Sequence, residues 1–156
     1  MRKAHQVLAI ILAVLVVVQA MAIAYAFAGL LHWIDKDAGK LDKAVLDSWD
    51  KHPPHWRGSG GFSLHALNGT AIIPVVALVF LIVSLFAAKQ VEGAAQRASI
   101  LFAMVALQVF LGISSQGAPV LAPLHALNGF GIFAMSVSAA RKAAEAAPKE
   151  AAPAAA

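Results

Sequence analysis

The chain has 156 residues, of which 60% are apolar and only 13% charged. An ordinary soluble domain carries ~25% charged residues, so too little polar surface exists here to cover a core in water. The formal charge is +4, but the basic residues are scattered between apolar blocks and form no nucleic-acid-binding stripe; with no cysteine, disulfides, thiolate metal sites and cysteine nucleophiles are excluded.

Four apolar blocks follow in order, at about 7–31, 64–88, 98–116 and 124–140, and none contains Asp, Glu, Lys or Arg. A membrane-spanning helix needs ~20 apolar residues, within a range of ~17–25, so each block is read as one crossing. The first block also has features of a signal peptide: Arg2 and Lys3 precede it, and Ala24-Tyr25-Ala26 offers a small-x-small cleavage site. Its length and its part in an internal repeat favour a retained helix.

Residues 32–60 form a polar loop with five basic and five acidic residues. Within it Leu41, Val45 and Trp49 recur at i, i+4, i+8, which predicts a short amphipathic helix over 37–49 serving as an interfacial anchor. His52-Pro53-Pro54 ends it, and Gly58 to Gly61 give a flexible entry to the second crossing. His52 and His55 read as a solvated loop pair, His32 as an interfacial residue, and His5 as a residue without a visible partner. Residues 89–97 make a short loop and 117–123 an uncharged turn. The transmembrane domain covers 1–142, and 143–156 reads as a disordered Ala/Pro-rich cytoplasmic tail.

Seven basic residues (Arg2, Lys3, Lys89, Arg97, Arg141, Lys142, Lys149) fall on one side and five (Lys36, Lys40, Lys43, Lys51, Arg57) on the other. That bias places both termini in the cytoplasm of a bacterial inner membrane.

The strongest signal is a repeat. Leu64-His65-Ala66-Leu67-Asn68-Gly69 is identical to Leu124-His125-Ala126-Leu127-Asn128-Gly129. Each copy opens a crossing after an outer loop, and each is preceded, one helix earlier, by a glutamine deep in the apolar block, Gln19 or Gln108. The expected fold is an all-α integral membrane four-helix bundle built from two parallel helix–loop–helix repeats.

His65 and His125 then lie at one depth, each sharing a helical face with the Asn and Gly that follow at i+3 and i+4. Ionisable groups in the membrane are costly and face the bundle interior. Two equivalent imidazoles suit a flat, symmetric cofactor held from both sides, and a b-type heme with His65 and His125 as axial metal ligands fits that description. Gly69 and Gly129 remove side chains where a porphyrin face approaches. Asn68 and Asn128 orient neighbours through Gln19 and Gln108, and Arg57, Lys51 or the glycine-rich segment receives the propionates. Bis-histidine ligation favours electron transfer or heme handling over oxygen activation. Expected partners are the lipid bilayer, a quinone or redox protein, and a second copy or larger membrane complex, with no nucleic acid. The alternative left open is a non-heme assembly or transport subunit, in which the same His, Asn and Gln are interhelical hydrogen-bond glue. Pro74 is read as a kink.

The two helix pairs, the glutamines in helices 1 and 3, and Leu-His-Ala-Leu-Asn-Gly opening helix 4 resemble an uncharacterised family of small bacterial membrane proteins, domain of unknown function 6220. That resemblance implies a four-helix membrane protein over most of 1–142 and no particular activity. In architecture the chain is also similar to one half of heme A synthase, whose second and fourth helices carry histidines near the outer side. This likeness maps onto His65 and His125 and implies heme between them. The chain lacks that family's cysteine pair and its glutamate, so oxygenase chemistry does not carry over.

Overall fold

The computed structural model describes residues 1–49 and 51–147. Among them every regular element is helical. α1 runs over Arg2–Lys36, α2 over Lys43–Ser48, α3 over Gly60–Leu67, α4 over Ile73–Ala87, α5 over Ala94–Ser114 and α6 over Leu121–Glu145. A π turn at Asn68–Ile72 joins α3 to α4, so Gly60–Ala87 is one continuous helical rod. Four rods, Arg2–Lys36, Gly60–Ala87, Ala94–Ser114 and Leu121–Glu145, are long and apolar enough to cross a membrane.

Every rod is longer than its apolar block or shifted from it. α1 overshoots into the polar loop, because Trp33 to Lys36 contain no breaker and the chain turns only at Asp37 and Ala38, the latter at φ 55°. α6 continues through Glu145, beyond the predicted domain boundary at residue 142. Residues 143–145 are therefore helical rather than tail: Ala143 is fully buried, and its carbonyl accepts a hydrogen bond of 2.9 Å from the Arg2 guanidinium. The rest of the expected tail, from residue 148, lies outside the described residues.

Pro74 has no N–H to offer the Thr70 carbonyl one turn earlier. The helix widens to a π turn there instead of breaking. π turns are rare and cluster at functional sites, and this one follows directly on the first copy of the repeat.

The rods pack in a ring. α1 contacts α6 and the α3–α4 rod, and α5 contacts α4 and α6, which leaves α4 and α6 diagonally opposed. At the end holding Arg2 and the α4–α5 connection the centre is filled by Ala9, Leu12, Ala77, Phe80, Ala98, Leu101 and Ala139. Alanines at these contacts let backbones approach closely, which is how helices associate where lipid removes the hydrophobic incentive. The outward faces carry large apolar side chains, among them Val7, Val14, Met21, Val75, Leu85, Phe110, Ile113, Leu127 and Phe130. A surface so apolar requires lipid or a protein partner. The chain is a multi-pass membrane protein.

The loop after α1 is built on aromatics. α2 is shorter than the amphipathic helix predicted from the sequence, because Leu41 lies before its N-cap, Asp42, whose carboxylate accepts from the Val45 N–H at 2.9 Å. Trp49 is half-buried against the loop's other aromatics. Its ring lies 5.1 Å from Trp56, which stacks on Trp33 at 5.0 Å and meets Phe62 edge-on. All three tryptophans of the chain thus gather in one cluster that docks the loop onto the end of α1. The docking depends on glycines: a Cβ on Gly29 would overlap the Arg57 carbonyl oxygen, and Gly58 sits at φ 97° against the Tyr25 carbonyl.

Candidate functional site

The repeated hexapeptide makes the same connections twice. His65 lies in α3, and its Nδ1 is 3.0 Å from the carbonyl oxygen of Gln19 in α1. His125 lies in α6, and its Nδ1 is 3.1 Å from the carbonyl oxygen of Gln108 in α5. A carbonyl can only accept, so each Nδ1 carries the hydrogen, and in the neutral ring each Nε2 is left with a bare lone pair.

The asparagines complete the parallel. The Asn68 amide donates to the Leu15 carbonyl at 3.0 Å and to Gln19 Oε1 at 2.9 Å. The Asn128 amide donates to the Met104 carbonyl at 2.9 Å and to Gln108 Oε1 at 2.7 Å. Leu15 and Met104 each stand one turn before their glutamine. Both glutamine amides are therefore fixed in orientation, with Oε1 towards the asparagine and Nε2 elsewhere.

Each glutamine amide lies over a glycine of the repeat. A Cβ on Gly69 would come within 2.5 Å of Gln19 Nε2, and one on Gly129 within 3.3 Å of Gln108 Nε2. The missing side chains make room for these amides, a use that the sequence did not reveal.

The two imidazoles face each other from the diagonal rods, with ring centroids 6.3 Å apart and planes inclined at 56°. Between them lies a cavity of about 190 Å³ reached by all four rods. Its polar lining is His65, His125, Gln19, Gln108, Gln116 and Thr70, and Gly69 and Gly129 also line it. Asn68 and Asn128 stand behind the glutamines rather than on the wall. Arg57 is not brought to the cavity: its side chain is exposed and its backbone rests on Gly29.

Sequence reasoning missed several participants. Gly112 of α5 abuts the His125 ring, where a Cβ would be 3.0 Å from Cε1. It occupies the position, four after the glutamine, that Ile23 holds in α1, so aligning the two halves was enough to find it. His5, expected to lack a partner, is fully buried with Nδ1 2.8 Å from Ser84 Oγ and its ring 4.7 Å from Phe80. Ser84 gives its own hydrogen to the Phe80 carbonyl, so His5 is the donor, and its buried Nε2 has no partner among the described residues. His52 and His55 are exposed, as expected of a solvated pair.

Among the described residues no group of three or more His, Cys, Asp or Glu gathers to hold a metal. The donors on offer are the two facing imidazoles alone. Comparison of the chain with family models, with curated proteins and with solved structures gives no match.

Proposed function

We propose that the chain is a membrane-embedded b-type heme protein with His65 and His125 as axial ligands, serving electron transfer or heme handling. The observation that carries this reading is the state of the two rings. Metal-ligating histidines nearly always give their second N–H to a carbonyl or carboxylate, which fixes the tautomer and aims the bare nitrogen. Both imidazoles are held in that way by a backbone carbonyl. The two ring centroids stand 6.3 Å apart across the cavity, so both side chains would be available to hold such a group. Two protein donors suit a metal that brings its remaining ligands with it, as a porphyrin does.

When bound, the group supplies a one-electron couple. The chain's own residues do the rest: Gln19 and Gln108 hold the rings through their carbonyls, and Asn68 and Asn128 lock the glutamines. The cavity, at about 190 Å³, is smaller than the ~300–1,000 Å³ typical of ligand sites. Entry of a macrocycle therefore requires the glutamine amides to withdraw from over Gly69 and Gly129. In this reading the two helix–loop–helix units are parallel repeats, the termini lie in the cytoplasm of a bacterial inner membrane, and the site lies near the outer face. A single site there does not span the bilayer, so a quinone, a redox protein or a second copy completes the path.

A second reading has its own observation. Each amide nitrogen of both Asn–Gln pairs donates to a partner within the protein, as expected of packing glue in a non-heme subunit. A reduced-minus-oxidised absorption spectrum with pyridine hemochrome analysis, run on wild type, His65→Ala and His125→Ala in mild detergent, separates the two. The heme reading expects a low-spin b-type signal that either substitution abolishes. A wild type that stays colourless after heme is supplied refutes it.

A further inference from the structure

α1 and α6 pack against each other, yet a groove of about 480 Å³ opens between them on the outside of the bundle. Its floor holds Ala13 and Ala140, both buried, and their small side chains leave the space that Val17, Phe133 and Val137 wall. The volume falls within the ~300–1,000 Å³ typical of ligand sites. Along α1 the groove runs from Ile10 to Met21, and a rise of ~1.5 Å per residue makes it roughly 16 Å long. That is about half of the ~30 Å hydrocarbon core of a bilayer, the depth of one leaflet.

Arg141 is the only charged residue of the lining and stands at the end of the groove nearer Arg2 and Glu145. Its side chain is exposed, and among the described residues it makes no ion pair: the carboxylate one turn on, Glu145, is held by Lys142 at 2.9 Å. Lys3, also exposed, precedes Ile10 by seven residues and so shares its helical face. An arginine lays its apolar stem on such a wall and puts its guanidinium at the polar surface. There its fork of N–H donors matches a phosphate.

We infer that this groove binds one anionic phospholipid of the leaflet on the side of Arg2 and Glu145, with an acyl chain along Ala13 and Ala140 and the phosphate on Arg141. The site is separate from the histidine cavity and does not depend on heme. The apolar walls fit the chain of any lipid, whereas two cations without a free carboxylate beside them select a headgroup of net negative charge. A second copy seated here by two-fold symmetry would set its own Arg141 and Lys3 against these, like charge on like, which favours lipid as the occupant.

Native mass spectrometry of the full chain, released from detergent containing phosphatidylglycerol or phosphatidylcholine of the same acyl chains, counts the lipids bound. Wild type should bind the first phosphatidylglycerol more tightly than the first phosphatidylcholine. Arg141→Gln should weaken the phosphatidylglycerol step about fivefold, the ratio that one basic side chain near an anionic lipid surface supplies, and leave the phosphatidylcholine step nearly unmoved. Val137→Trp fills the groove from an exposed position and should weaken the first step for both lipids, whereas Val75→Trp, on the outward face of α4, should change neither. Equal first constants for the two lipids in wild type overturn the inference, as does Arg141→Gln or Val137→Trp binding phosphatidylglycerol like wild type. Free glycerol phosphate that binds as tightly as the whole lipid also overturns it, because the groove then takes no part. So does a dimer that Val137→Trp dissociates, because a second copy then covers the groove.

Discussion

Gly69→Ala and Gly129→Ala make the same chemical change at equivalent positions of an identical hexapeptide, and the structure separates their consequences. At Gly69 the new methyl would lie 2.5 Å from Gln19 Nε2 and 3.4 Å from its Cδ, so the amide must leave. Leaving breaks two hydrogen bonds, Nε2 to the His65 carbonyl and Oε1 from Asn68. Interhelical hydrogen bonds in membranes are worth about 0.6–1.7 kcal/mol each, giving a loss of about 1–3 kcal/mol. Alanine is favoured over glycine in a helix by about 1 kcal/mol, so the net effect is a destabilisation of about 0–2 kcal/mol. At Gly129 the methyl would stand 3.3 Å from Gln108 Nε2, a gap closed by a small movement with both bonds intact. There the helix preference prevails and the variant is neutral or slightly more stable. The assay is reversible unfolding in mixed micelles, followed by helical circular dichroism, with Gln19→Ala as a second background. In that background Gly69→Ala should lose its penalty and stabilise by about 1 kcal/mol. Equal stabilities for the two glycine variants, or a Gly69→Ala penalty that survives in Gln19→Ala, would refute the amide-over-glycine account.

Trp56→Ala removes the ring shared by Trp33, Trp49 and Phe62. It should cost about 3–5 kcal/mol and abolish the near-ultraviolet dichroism of the cluster, while a retained signal would place the ordering elsewhere. Gly29→Ala drives a methyl into the Arg57 carbonyl oxygen and should expose residues 51–59 to limited proteolysis faster than in wild type, with α1 itself unaffected. Ser84→Ala leaves the buried Nδ1–H of His5 without an acceptor and should cost about 1–3 kcal/mol, whereas His5→Leu combined with Ser84→Ala should recover most of that loss. A double variant no more stable than Ser84→Ala alone would contradict this.

Much of the architecture is legible because a bilayer simplifies the sequence. Blocks of apolar residues free of charge mark the crossings, and the structure has four rods there. Their ends were misjudged for a physical reason: lipid sets where apolar residues stop, but backbone hydrogen bonds set where a helix stops. Trp33 to Lys36 contain no Gly or Pro, and Ala143 to Glu145 are strong helix formers, so α1 and α6 run on past the apolar limit. The tryptophans show the opposite failure. Trp49 sits at the right spacing for an amphipathic face, yet its ring is spent on Trp56, a contact between residues of an irregular loop that periodicity does not encode.

The site shows where a repeat stops being informative. Matching hexapeptides located both histidines, and the glutamines one helix earlier located both partners, so the Nδ1-to-carbonyl and Asn-to-Gln bonds recur in each half. The destination of each glutamine Nε2 was not legible, because it depends on how the neighbouring ring is seated and not on the repeated residues themselves. α1 places the bulk of Ile23 one turn beyond Gln19, and α5 places the open space of Gly112 one turn beyond Gln108. A Cβ on Gly112 would stand 3.0 Å from Cε1 of His125, so a side chain there would press on the ring that Gln108 reaches. The difference between the two halves thus coincides with a residue outside the repeated motif. Gly112→Ile, which restores at α5 what α1 already has, should therefore make the His125 environment resemble that of His65: the Gln108–His125 bond should be lost while Asn128 keeps its grip on Gln108. The ¹⁵N resonance of His125 Nε2 moving to the position of His65 is the expected result. An unmoved resonance in a folded Gly112→Ile protein would place the source of the asymmetry elsewhere.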